Sequence, residues 1–138
     1  MGRLPIGGSA MTAAERQRKR REVIAMRYME KKEAIERELE RCARATPMRR
    51  PTYTKLGRAV GMPPMGPWEP VLDAIAKDAE DAGRPDLTFL VQNARTGYPS
   101  RVCRTTRRNL LPWQKERARA EMQRIIEAYN PTTPNPLA

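Results

Sequence analysis

The chain has 138 residues, with 27 Lys and Arg against 16 Asp and Glu, a formal net charge of +11, and no histidine. The missing imidazole removes the commonest general base and metal ligand. No run of about 18 apolar residues exists to span a membrane, and Cys42 and Cys103 have no CxxC or Cys/His spacing for zinc.

Length and composition point to one mainly α-helical domain with a modest core. Residues 1–11, "MGRLPIGGSAM", read as a flexible leader, too short and polar for a signal peptide, so cytoplasm is the expected location. Residues 12–45 read as one long helix: Thr12 can cap it, and no Gly or Pro occurs before Pro47. Its apolar stripe is Ile24, Tyr28, Ile35, Leu39 and Cys42, with a gap at Lys31. That narrow stripe suits a helix lying on a small core or pairing with a second copy as a homodimer. The preceding "RQRKRR" lacks apolar residues and reads as a projecting basic arm.

A proline-bounded linker, 46–51, leads to a short helix within 52–62, capped by Thr52 or Thr54 and closed by Gly61. Leu56, Ala59 and Val60 are its expected buried face. "PPMGP" is a turn, and Pro67 is placed to open the next helix, where Trp68, Val71, Leu72, Ile75 and Ala79 keep helical spacing before Gly83. The run "LTFLV" then meets a turn signal, Asn93 to Gly97, followed by a second extended run, so residues 87–104 read as a β-hairpin. Pro99 restricts its second strand to an edge. A final helix over 112–129, within a unit 105–130, packs on the core, and the proline-rich 131–138 reads as an extended tail.

Two helices joined by a Gly/Pro turn and followed by a hairpin form the winged helix-turn-helix order, here assigned to residues 52–104. "PTYTKLGRAVGMP" resembles the matching stretch of the winged-helix domain in alkylguanine-DNA alkyltransferases and alkyltransferase-like proteins. The layout of 51–104, with a Trp-led helix and Pro-rich tail, is also similar to small bacterial and phage proteins. The resemblance implies a winged-helix scaffold and a Tyr53 that approaches a phosphate. It does not carry alkyl transfer, because those enzymes need a Pro-Cys-His-Arg centre and Cys103 stands in "RVCRTT".

The charge is uneven. Residues 1–51 carry 14 basic and 7 acidic groups, 52–91 carry 4 and 6, and 92–138 carry 9 and 3. The helix expected to read bases holds Glu69, Asp73, Asp78, Glu80 and Asp81, which repel phosphate, so only Trp68 in its first turn is a candidate there. The cationic candidates are Arg18, Lys19, Arg20 and Arg21 in the arm, Arg49 and Arg50 in the linker, Arg95 at the hairpin tip, and Arg101, Arg104, Arg107 and Arg108 along and after its second strand. Arginine forks match phosphate oxygens and give salt-dependent binding.

The expected function is therefore a small, non-enzymatic nucleic-acid-binding protein, a phage or bacterial regulator or accessory factor without a cofactor or metal. DNA is the default partner, and RNA rests on the same charge. The alternative is a protein-interaction module, such as a phage protein docking on an acidic host enzyme, polymerase or defence complex.

Overall fold

The computed structural model describes residues 11–103 and 110–138. It is mainly helical: α1 Ala13–Glu30, α2 Lys32–Arg44, α3 Tyr53–Val60, α4 Glu69–Asp81, a 3₁₀ turn Leu87–Leu90, α5 Ser100–Cys103 and α6 Pro112–Tyr129.

Thr12 caps α1 as its position requires, its hydroxyl accepting the Glu15 N–H at 3.0 Å. The long helix expected over 12–45 is interrupted at Lys31, whose φ of −94° and ψ of 8° leave the helical region. The gap in the apolar stripe falls on the same residue. The break lets α1 point Tyr28 at the 63–68 loop while α2 turns Ile35, Leu39, Cys42 and Ala43 into the core. All four α2 residues and Tyr28 are buried within this one chain, so the stripe expected to pair two copies is occupied by the chain's own core.

Thr52 caps α3 and Gly61 ends it in the left-handed region at φ 75°. Its buried face is Leu56, Gly57 and Val60, while Ala59 is exposed. Gly57 is there because the chain folds back on it: a Cβ would lie 2.4 Å from the Met62 carbonyl oxygen. Helix α4 begins at Glu69, with Pro70 rather than Pro67 in its first turn, and buries Trp68, Val71, Leu72, Ile75 and Ala79 as their spacing dictates.

The hairpin expected over 87–104 is not built from two strands. Asp86 accepts the Thr88 N–H at 2.9 Å and its hydroxyl at 2.5 Å, and that local cap bends 87–90 into a 3₁₀ turn. The apolar run is buried because it is the hub of the fold, packed against α2, α4, α5 and α6. The turn itself forms as its residues demand: Asn93 Oδ1 accepts the Arg95 N–H at 2.8 Å, and Gly97 sits at φ 73°. Among the described residues a single antiparallel bridge, Gln92 to Pro99, is all that remains of the pairing, and Ser100–Cys103 is helical. Nor do α3 and α4 pack along each other as a helix-turn-helix pair: both lie on α2. They meet through the Trp68 ring, stacked on Tyr53 at 5.4 Å.

The C-terminal tail doubles back instead of extending. Asn135 Nδ2 donates to the Arg119 carbonyl at 3.1 Å, and Leu137 is buried in the core. Asn130 ties the end of α6 to the end of α2 by donating to the Ala45 carbonyl at 2.7 Å.

Burial raises the pKa of the Asp86 carboxyl, against the opposing hydrogen bonds from Thr88. A carboxyl raised in the folded state favours folding when protonated. Its contribution is present below the ordinary carboxylate range and is lost as pH rises through the raised value. Asp86→Asn keeps the Oδ1 acceptor and carries no charge. We expect it to gain stability relative to the parent between acid and neutral pH, read as the difference in Tm at each pH. A constant difference would assign no titration to this carboxyl.

Candidate nucleic-acid interface

The sequence-derived candidates separate into four environments. Arg18, Lys19, Arg20 and Arg21 lie on the first turns of α1, where every residue from 12 to 23 is exposed. They form the projecting arm that their lack of apolar neighbours requires. Arg95 is exposed at the tip of the 93–98 turn. Arg104, Arg107 and Arg108 lie outside the described residues.

Trp68 and Tyr53 are not presented to a ligand. Trp68 is 4% exposed, edge-on to Tyr28 at 4.7 Å, and its Nε1–H donates to the Pro64 carbonyl at 2.9 Å. The Tyr53 hydroxyl accepts from Ser100 Oγ at 2.7 Å, so it braces α3 against α5 rather than facing solvent. Arg101 is also committed internally. Its side chain is only 13% exposed and holds Asp73 of α4 at 2.6 Å. The acidic face of α4 is thus partly used in pairing: Asp73 with Arg101, Asp78 with Lys32 of α2, and Asp81 with Lys77 at 3.3 Å.

Arg49 and Arg50 are brought together with three residues the sequence does not single out: Arg41 from α2, and Lys55 and Arg58 from α3. These five cations, with Glu38, Cys42 and Gln92, line a cleft of about 660 Å³ between α2, the 49–51 linker and α3. Lys55 and Arg58 share the outer face of α3 because they are three residues apart. That spacing was the available signal, but it becomes a site only when α3 lies against α2.

Only one carboxylate answers these charges. Glu38 grips Arg41 in a two-point pair, accepting Nε at 3.0 Å and Nη2 at 2.6 Å. The Arg41 guanidinium holds the Glu38 carboxyl below the usual carboxylate range. Among the described residues Arg49, Lys55 and Arg58 have no carboxylate partner, and all three are exposed. Arg50 is half-buried. It donates through Nη2 to the Gly97 carbonyl, while its Nε is buried without a hydrogen-bond partner. Burial lowers its pKa from the ordinary arginine value.

At the cleft floor Cys42 is a free thiol, 3% exposed, with its pKa pushed up to about 11 by burial and then by Glu38. A thiol held protonated and covered is a poor nucleophile. The chemistry the cleft offers is anion binding: several guanidinium and ammonium donors converge, and one internal carboxylate neutralises one of them.

Among the described residues no helix is long and apolar enough to cross a membrane. Comparison of the chain with models of known protein families, with curated proteins and with solved structures finds no match.

Proposed function

We propose that this chain is a small non-enzymatic nucleic-acid-binding protein, a regulator or accessory factor that holds the sugar-phosphate backbone. The observation that carries this reading is the cleft in which Arg41, Arg49, Arg50, Lys55 and Arg58 face a single carboxylate. Cations left without partners on a folded surface repel one another, and a polyanion relieves that repulsion while releasing its own counterions. The basic arm of α1 and Arg95 at the turn tip extend the positive surface beyond the cleft. The reading does not require a winged helix: the arm and cleft replace the wing and recognition helix as the holding elements.

A salt titration tests it. Binding to a single strand, a duplex and an RNA of matched length is measured by fluorescence anisotropy from about 50 mM salt upward. We expect the logarithm of the affinity to fall linearly with the logarithm of salt concentration. No binding to any of the three at about 50 mM salt would overturn the proposal.

The alternative, docking on another protein, is favoured by a different observation. Val23 and Met26 on α1 are 53% and 64% exposed, and Met65 on the adjoining loop is 91% exposed. Flexible thioethers at a surface suit adaptable contacts. This is the reading that a negative titration would leave.

A further inference from the structure

We propose that the nucleic acid is single-stranded and that Trp113 is the platform on which one of its bases stacks; this rests on the nucleic-acid reading above. The chain has two tryptophans, and the fold treats them in opposite ways. Trp68 is 4% exposed in the aromatic cluster, whereas Trp113 is 59% exposed in the first turn of α6. The buried face of α6 is set by Ala118, Met122, Ile125 and Ile126. Trp113 lies off that face, with the chain before it pinned by buried Leu110. Its indole therefore has no place in the core.

The surroundings of Trp113 are basic and lead back to the cleft. Lys115 lies over the Tyr98 ring with its Nζ 5.8 Å from the centroid. Tyr98 follows Gly97, whose carbonyl accepts the Arg50 guanidinium, and Arg50 lines the cleft. The 93–98 turn thus bridges the cleft and the start of α6, with Arg95 exposed at its tip. A backbone held in the cleft and passing over this turn arrives at Trp113. Arg117, one helical turn beyond, is on the same side of α6.

Three features select a single strand. Bases in a duplex already stack on each other, and only a single strand has a free π-face to offer. The cleft is concave, so it fits one backbone rather than entering a groove. The helix that would enter a major groove, α4, keeps Glu69, Glu80 and Asp81 on its exposed side.

The test uses the full chain and oligodeoxythymidine of about 15 nucleotides, a length that covers one such surface. Stacking quenches indole emission, and Trp113→Phe supplies the Trp68 background. We expect quenching in the parent, none in Trp113→Phe, and roughly tenfold weaker binding in Trp113→Ala with an unchanged salt slope. Because Trp113 is exposed, the thermal midpoint of Trp113→Ala should match the parent. If Arg49→Ala/Lys55→Ala/Arg58→Ala weakens binding while Trp113→Ala and the emission do not change, the stacking proposal fails and the nucleic-acid reading stands. If the oligonucleotide and the matched duplex both fail to bind, the reading itself fails. Duplex binding as tight as the single strand would overturn the single-strand assignment. A smaller solution mass for Trp113→Ala than for the parent would make Trp113 a self-association contact and would also overturn it.

Discussion

Trp68→Ala should lower the free energy of unfolding by about 3–5 kcal/mol, the loss expected for truncating a buried aromatic residue to alanine. The ring is edge-on to Tyr28 at 4.7 Å and stacked on Tyr53 at 5.4 Å, so its removal leaves a void between α1, α3 and α4. It also deletes the Nε1–H donation that holds the Pro64 carbonyl. The same loop is held from the other side by Tyr28, whose hydroxyl donates to the Pro63 carbonyl at 2.5 Å and accepts the Gly66 N–H at 3.1 Å. Small domains are stable by about 5–15 kcal/mol, so the loss is a large fraction of the whole. Trp68→Phe keeps most of the ring contact and loses the indole donor, and its expected cost is about 1–2 kcal/mol. Urea unfolding followed by far-ultraviolet circular dichroism measures both. A loss under about 1 kcal/mol in Trp68→Ala would mean that the cluster does not hold α3 to the rest of the fold. Because α3 carries Lys55 and Arg58, the stability of this cluster also sets the shape of the basic cleft.

The parts of this fold legible in the sequence are those set by local chemistry. Thr12 and Thr52 cap helices because a hydroxyl before a helix can accept an orphan N–H, and Gly61 ends α3 because its φ is positive. The spacing of Trp68, Val71, Leu72, Ile75 and Ala79 already fixes the inner face of α4. What the sequence conceals is what each element packs against. "LTFLV" is apolar enough for a buried strand or a buried turn, and the Asx cap at Asp86, with α2, α4, α5 and α6 around it, decides for the turn. The tail reads as polar and extended because its folding back depends on one side chain, Asn135, reaching the Arg119 carbonyl.

The candidate site divides the same way. Counting charge finds the arginines but not their partners, so Arg101, half of an internal pair with Asp73, looks identical to Arg49, which has no carboxylate partner. Arg41, Lys55 and Arg58 become a cluster with Arg49 and Arg50 only through the packing of α3 on α2. No motif spans those positions, because the chemistry asked of them, holding phosphates, needs charge in a cleft rather than a fixed order of residue types.

The triple variant Arg49→Ala/Lys55→Ala/Arg58→Ala should bind single strands about a hundredfold more weakly at about 0.1 M salt, with the salt slope reduced by roughly 2. Each phosphate contact on a single strand contributes about 0.7 to that slope, and three contacts are removed. The three side chains are exposed and lack carboxylate partners, so stability should change by no more than about 0.5 kcal/mol. Affinity and stability are therefore expected to separate, which Arg50→Ala would not allow, because Arg50 also holds the Gly97 carbonyl. Glu38→Gln should act in the opposite direction. The carboxylate now occupies Arg41 in a two-point pair and sits inside the cleft that a phosphate would enter. Neutralising it frees the guanidinium and removes a like-charge repulsion, so affinity should rise severalfold and the slope should steepen by up to about 0.7. A Glu38→Gln variant that binds no better, beside a triple variant that binds as well as the parent, would place the nucleic acid on the α1 arm and not in the cleft. The same pair of measurements on an acidic protein partner would show the charge dependence without the linear dependence on salt that a condensed counterion shell imposes.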